Sequence, residues 1–195
     1  MLAVRVTYVG ELGWELYVPS EYTLTVYDAL LEAGQDLGVR PIGLAALSSL
    51  RLEKGYRDMG VDIDNKDNPF DAGLGFAVAM DKPGGFVGRK ALADLREAGP
   101  RNRRMVQVFA TDPDVDLMGG EPLYCGDAWI GYVRAAAFGY TLGGGVGLAM
   151  IGNANGVTKD WLKAGDFAAQ MPDGRTEVSF SLQPIFDPKR ERILV

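Results

Sequence analysis

Tyr8-Val9-Gly10-Glu11-Leu12-Gly13-Trp14-Glu15-Leu16-Tyr17-Val18-Pro19 sets two acids and two glycines among aromatic and apolar residues. Residues 3 to 9 alternate as a strand does, Glu15-Leu16-Tyr17-Val18 reads as a second strand, and Glu11-Leu12-Gly13 supplies the turn between them. The stretch therefore predicts a β-hairpin. Pro19-Ser20 ends it, with Ser20 as the expected N-cap of a helix carrying Tyr22, Val26, Ala29, Leu30 and Ala33 at helical spacing, stopped by Gly34 or Gly38.

A second helix is expected from about Pro41 to Lys54, since proline suits a first helical turn and Gly55 a C-terminal exit. At 100° per residue Leu44, Leu47 and Leu50 share a broad face. Arg51 falls between the directions of Leu44 and Leu47, and Glu53 points the other way. Arg51 is thus expected to point inward. A buried guanidinium needs an anionic or carbonyl partner, because leaving it unpaired costs several kcal/mol. A structural Asp or Glu and a bound ligand both qualify. Acids and glycines on a strand-like turn, with a cation on an apolar helix face, suit a pocket for a flat heterocycle with hydrogen-bond donors on one edge.

Farther along, residues 56 to 73 are acidic and rich in turn formers. The spacing of Asp62, Asp64 and Asp67 invites a calcium reading, but Lys66 and Asp67 occupy positions where an EF-hand loop needs an oxygen ligand and a glycine. A solvated loop is expected instead, followed by a strand over Ala72-Gly73-Leu74-Gly75-Phe76-Ala77-Val78-Ala79-Met80. Gly84-Gly85-Phe86-Val87-Gly88 fits neither a P-loop nor a dinucleotide fingerprint and leads into a short helix with Leu92 and Leu95 inward, ended by Gly99-Pro100. Arg101-Asn102-Arg103-Arg104 reads as a hinge, which places a domain boundary near residue 100 and divides the chain into 1–100 and 101–195. Beyond it short strands follow one another: 105–110, 121–125, 129–136, 145–151, 166–171 and 177–182. Cys125-Gly126-Asp127-Ala128 and Pro172-Asp173-Gly174 supply turns between them. Such regular punctuation predicts a small antiparallel barrel or sandwich. Gly143-Gly144-Gly145 is a permissive loop, since no Lys-Ser/Thr and no helix start follow it.

Composition narrows the chemistry. The chain of 195 residues is 47% hydrophobic and 24% charged, with 20 Lys+Arg against 26 Asp+Glu and a net charge of −6. That balance gives little electrostatic support to nucleic-acid binding. There is no histidine, which removes Ser-His-Asp catalysis and the usual zinc and non-haem iron ligand sets, so no metal site is expected. Cys125 is alone, excluding an intrachain disulfide or a CxxC site; it is expected as a buried small hydrophobe, and cytoplasmic residence is the expectation. No apolar run reaches the length of a membrane span. Strand-like alternation starts almost at Met1, so the chain is expected to begin inside a domain.

Tyr8-x-Gly10-Glu11-x-Gly13-x-Glu15, Leu50-Arg51-Leu52-Glu53-Lys54-Gly55-Tyr56 with Asp62-Ile63-Asp64, Asn68-Pro69-x-x-Ala72-Gly73-Leu74, and Gly88-Arg89-Lys90-Ala91-Leu92 occur in that order. Together they resemble the tetrahydrofolate-binding aminomethyltransferase family, which includes the glycine-cleavage T-protein and the C-terminal portions of dimethylglycine and sarcosine dehydrogenases. The wording from Ser49 to Leu92 is closer to the dehydrogenase-associated members. The resemblance covers essentially the whole chain.

It implies an α+β fold, a partial ferredoxin-like folate-binding lobe followed by the small antiparallel β-barrel. It implies tetrahydrofolate as the acceptor of a one-carbon unit, giving 5,10-methylenetetrahydrofolate. A pterin presents a ring N–H and an amino group side by side, a pair that one carboxylate can accept. In the family the last acid of the hairpin motif has that role, which falls on Glu15. Tyr8 matches the tyrosine at the pocket wall, and Arg51 an arginine of the folate site. Glu11, Trp14 and Tyr56 are weaker candidates. The family's catalytic aspartate lies in an N-terminal segment that this chain is expected to lack, so no catalytic residue is assigned. A separate chain or domain supplying that half, or self-association, is the expected remedy. No flavin-binding fingerprint is present, and no FAD site is expected. A non-catalytic regulatory or assembly module on the same scaffold is the alternative, and a glycine-rich barrel with an unrelated ligand is a third reading.

Overall fold

In a computed structural model, which describes residues 1–194, the six strands predicted in the second half close into one antiparallel barrel. They are β3 (Arg103–Ala110), β4 (Pro122–Cys125), β5 (Ala128–Gly139), β6 (Gly144–Gly152), β7 (Phe167–Met171) and β8 (Gly174–Ser181), in the order β3-β6-β5-β4-β7-β8. Before them come β1 (Leu2–Val4), β2 (Glu15–Tyr17), α1 (Thr23–Ala33), α2 (Leu44–Glu53) and α3 (Arg89–Glu97). A short α4 (Lys159–Ala164) intervenes between β6 and β7. The architecture is mixed helix and sheet, as expected.

Alternation along the strands decides what lies inside. Val106, Val108 and Ala110 of β3 meet Ala149, Ile151, Val133, Leu123, Phe167 and Val178 in the barrel interior. Neighbouring positions Met105, Val146, Leu148 and Met150 face outward, where Leu52 of α2 covers them. β6 is therefore buried on both faces, from Gly144 to Ile151. That explains its near-continuous apolar run. Cys125 is half-buried against the interior cluster.

α2 is the seam between the two parts. Gln107 on β3 donates from Nε2 to the carbonyls of Leu52 (2.6 Å) and Glu53 (2.8 Å), satisfying orphan acceptors at the helix end. Its Oε1 accepts from the Ile185 amide at 2.7 Å. Ser49 donates to the Phe138 carbonyl at 2.6 Å. Gly55 follows with φ 67°, the left-handed exit that ends the helix.

Several expectations require correction. Leu44, placed on the inner face, is 83% exposed, and Glu53, placed outward, is 1% exposed. The last turn of α2 is covered on more than one side: Glu53 Oε1 accepts the amides of Thr141 (2.7 Å) and Leu142 (3.0 Å) in the β5–β6 turn. The first strand is shorter than predicted, because Thr7 Oγ1 accepts the amides of Val9 and Gly10 and turns the chain. The hairpin survives as a three-residue pairing, Leu2 opposite Tyr17. α1 begins after a 3-10 turn at Ser20–Tyr22, and Ser20 makes no side-chain cap. No residue of α1 is buried. Residues 72–80 form no strand. The amides of Leu74 and Ala77 bond back to Pro69 and Leu74, and the segment closes into turns.

The acidic loop is the largest correction. Asp62 is fully buried, and the Asp67 side chain is 1% exposed. Arg134 of β5 donates to the Asp62 carbonyl and the Asp67 carboxylate, Arg103 bonds Asp67 at 2.7 Å, and Arg101 bonds Asp71 at 2.8 Å. The segment expected as a hinge thus supplies two of the arginines that fasten loop to barrel. A run of aspartates reads as solvated until barrel cations 30 to 70 residues away neutralise it.

Candidate functional site

Gly10 and Gly55 bracket the candidate site. Gly10 is buried at φ 79°, and a Cβ there would meet Cγ and Cδ of Lys54 at 2.9 Å. The hairpin turn therefore lies on the end of α2, which brings Tyr8 above Arg51 and Tyr56. Tyr8 and Tyr56 stack with rings 9° from parallel and centroids 6.4 Å apart.

Arg51 is 3% exposed, inward as expected. One nitrogen, Nη1, carries both its bonds, to the Tyr56 carbonyl at 3.1 Å and to the Asp62 carboxylate. Asp62 Oδ2 also accepts the Asp58 amide at 2.7 Å. The structural acid left open at the sequence level is thus Asp62. Neither Nε nor Nη2 of Arg51 bonds to any described residue. The Tyr8 hydroxyl is buried and makes no well-formed hydrogen bond, although the Asp58 carboxylate stands beside it as an acceptor. Burial raises its pKa, the Arg51 charge opposes that rise, and Asp58, by its charge and by hydrogen bonding, and the Asp62 charge add to it. Tyr8 and Arg51 therefore share a polar corner whose hydrogen-bonding capacity is only partly used.

Glu15 belongs to the second strand of the hairpin. It is exposed on β2, and its Oε2 accepts from the Tyr17 hydroxyl at 2.8 Å. No hydrogen bond or ion pair joins it to Tyr8 or Arg51 among the described residues. Trp14 is 60% exposed, and Glu11 makes an exposed contact of 3.5 Å with Arg192.

Sequence reasoning missed the part played by the C-terminal segment. Lys54 Nζ bonds the carbonyl (2.6 Å) and carboxylate (2.8 Å) of Asp187, drawing residues 184–194 across the exit of α2. A cavity of about 580 Å³ opens there, walled by Tyr56, Arg57, Leu74, Phe76, Leu182 and Arg190 among others. Asp187 and Arg190 both have positive φ, 43° and 62°. The available signal was Lys54 itself, a cation placed on a helix end that packs inward.

The hairpin thus rests on the end of α2, and α2 packs on the closed six-stranded barrel. The glycine cleavage T-protein models match in both parts, the GCVT N-terminal domain over residues 1–82 and the T-protein C-terminal barrel domain over residues 103–187. The chain belongs to the glycine cleavage T-protein family. It is 42% identical over 191 residues to 4-methylaminobutanoate oxidase (formaldehyde-forming) of Paenarthrobacter nicotinovorans, an alignment covering 98% of this chain and 22% of that protein. It is 36% identical over 193 residues to human mitochondrial sarcosine dehydrogenase, covering 98% of this chain and 21% of that one. The structure of the glycine cleavage system aminomethyltransferase T from Bartonella henselae superposes with a TM-score of 0.80 at 27% identity, over 93% of this chain and 48% of that one. The chain thus spans about a fifth of the length of these two curated relatives.

Proposed function

We propose that the chain is the folate-binding portion of an aminomethyltransferase-type protein, taking tetrahydrofolate as acceptor of a one-carbon unit. The observation that carries this reading is the partly used polar corner at the hairpin motif: a buried Tyr8 hydroxyl with no well-formed hydrogen bond, near an Arg51 guanidinium whose Nε and Nη2 bond no described residue. Buried polar groups in native proteins are nearly always satisfied, so such a corner fits a polar ligand. Tyr8 and Arg51 would meet the ligand's acceptors. Glu15, exposed and held only by Tyr17, would accept the two adjacent donors of the pterin edge. What the residues contribute is orientation and polarity; the proton-handling group for transfer is not assigned on this chain.

The exposed apolar residues of α1 and the hairpin support a further element. Leu24 is 70%, Leu30 50% and Leu2 59% exposed. Such a face fits a covering segment, supplied by a longer chain, a separate chain or a second copy. The same exposure favours the rival reading of a non-catalytic assembly module. Isothermal titration with tetrahydrofolate, on the wild type and on Glu15→Ala, separates the two. Saturable heat that Glu15→Ala weakens supports the folate reading. No heat from the wild type defeats it, and a concentration-dependent mass in size-exclusion with light scattering then favours assembly.

A further inference from the structure

Three adjoining depressions follow the seam between the 70–76 loop and the exit of β8. Their volumes are about 390, 410 and 580 Å³. The first and third share Gly73 and Phe76, the second and third share Leu182 and Gln183, and the first and second share Arg101 and Arg104. Lys54, Arg57, Arg96, Arg101, Arg104, Lys159 and Arg190 stand in their walls, and no Asp or Glu does among the described residues. In a chain of net charge −6 that segregation of charge is opposite to the average surface.

Two of those cations are spoken for: Lys54 by Asp187 and Arg101 by Asp71. Arg57 and Arg104 are not. Arg57 donates to the carbonyls of Ala72 and Gly55 and bonds no carboxylate among the described residues. Its Nη2 lies 2.9 Å from where a Cβ on Gly73 would be, so the glycine, at φ 72°, leaves the fork its room. The Arg104 side chain makes no hydrogen bond or ion pair with a described residue, and its Nε is buried without a partner. Gly73, against which Arg57 Nη2 lies, lines the same depression as Arg104, which brings the two side chains to one stretch of the seam. Burial lowers the Arg57 pKa, the Asp62 charge opposes this, and the Arg104 charge adds to it.

We propose that Arg57 and Arg104 form a site for one oxyanion group, a phosphate or a carboxylate, in the cleft between the 70–76 loop and the end of β8. An oxyanion would fill the donors that the protein leaves empty and cancel the repulsion between the two cations, and guanidinium forks match the planar spacing of its oxygens. The site shares no residue with Tyr8, Glu15 and Arg51 and is independent of the folate reading.

The test is calorimetric titration of the wild type, Arg104→Gln, Arg104→Lys and Glu15→Ala with inorganic phosphate and, separately, malonate, at ionic strength held constant with chloride. Arg104 has no internal bond to lose, so Arg104→Gln should keep the wild-type circular dichroism. The expected result is saturable binding of at least one anion, about tenfold weaker in Arg104→Gln, as loss of a charge-assisted pair implies. Arg104→Lys should fall between, and Glu15→Ala should match the wild type. Preference for phosphate identifies a phosphoryl group, and preference for malonate a carboxylate. Absence of saturable binding by the wild type, or equal affinity in Arg104→Gln, overturns the proposal.

Discussion

Replacing Asp62 by alanine removes the only carboxylate among the described residues bonded to Arg51, in a place where the two side chains are 0% and 4% exposed. The desolvation cost of both ions is already incurred in the native fold, so the variant keeps the cost of a buried guanidinium and loses its counter-charge. Breaking one side of such a pair costs about 3–5 kcal/mol. The Asp58 amide, which bonds Asp62 Oδ2 at 2.7 Å, loses its acceptor as well, adding about 1 kcal/mol. Against a total stability of about 5–15 kcal/mol, that is a large fraction. Urea denaturation of the wild type, Asp62→Ala, Arg51→Met and the double variant Arg51→Met/Asp62→Leu measures it. Asp62→Ala should be the most damaged of the three variants. The double variant should recover much of the loss, because it removes both charges and refills the volume. A cost under about 1 kcal/mol for Asp62→Ala would refute the argument from buried charge, as would a double variant whose loss equals the sum of the singles.

Gly10→Ala should destabilise by about 1–3 kcal/mol, from a positive φ and a forced shift of the Lys54 stem, read as a lowered urea midpoint. Acidification should expose Asp67. Burial would raise its pKa, but the Arg134 hydrogen bond, the Asp64 amide and the charges of Arg134 and Arg103 outweigh that and hold it below the usual carboxylate range. A depressed folded pKa stabilises above the unfolded value, about 3.9, and is lost as pH falls through the folded one. Asp67→Asn should therefore be less stable at neutral pH and show a shallower acid limb below about pH 4; parallel limbs in the two proteins would contradict this. The Tyr17 phenol is raised by its hydrogen bond to Glu15 and by that residue's charge. Glu15→Gln should bring its titration back toward the ordinary tyrosine value in an ultraviolet difference titration. An unchanged curve would mean that the carboxylate is not held as described.

The barrel was legible because its information is local. Turn residues punctuate it, and alternation marks which side chains face inward, so all six strands fall where the pattern put them, with ends shifted by a few residues. α4 escaped notice at six residues; the Thr158 side chain caps it by accepting the Trp161 amide. What local pattern could not carry was the use of charge. Glu53 finds its donors 88 and 89 residues away, and Asp67 is neutralised by Arg103 and Arg134, 36 and 67 residues on. An acid reads as solvent-facing until the partner is known. The site shows the same limit: Arg51 is inward as expected, but because the whole last turn of α2 is covered, Glu53 included, rather than by helical phase; its pairing with Asp62, Glu15's contact with Tyr17 and the tail over Lys54 are tertiary.

Gln107 ties a barrel strand, the end of α2 and the Ile185 amide through one side chain. A crosspiece of that kind couples three segments mechanically, so rotating the lobe against the barrel would break its two bonds to α2 at once. Variants that loosen Gln107 would therefore alter the rigidity of the seam before they altered the hairpin.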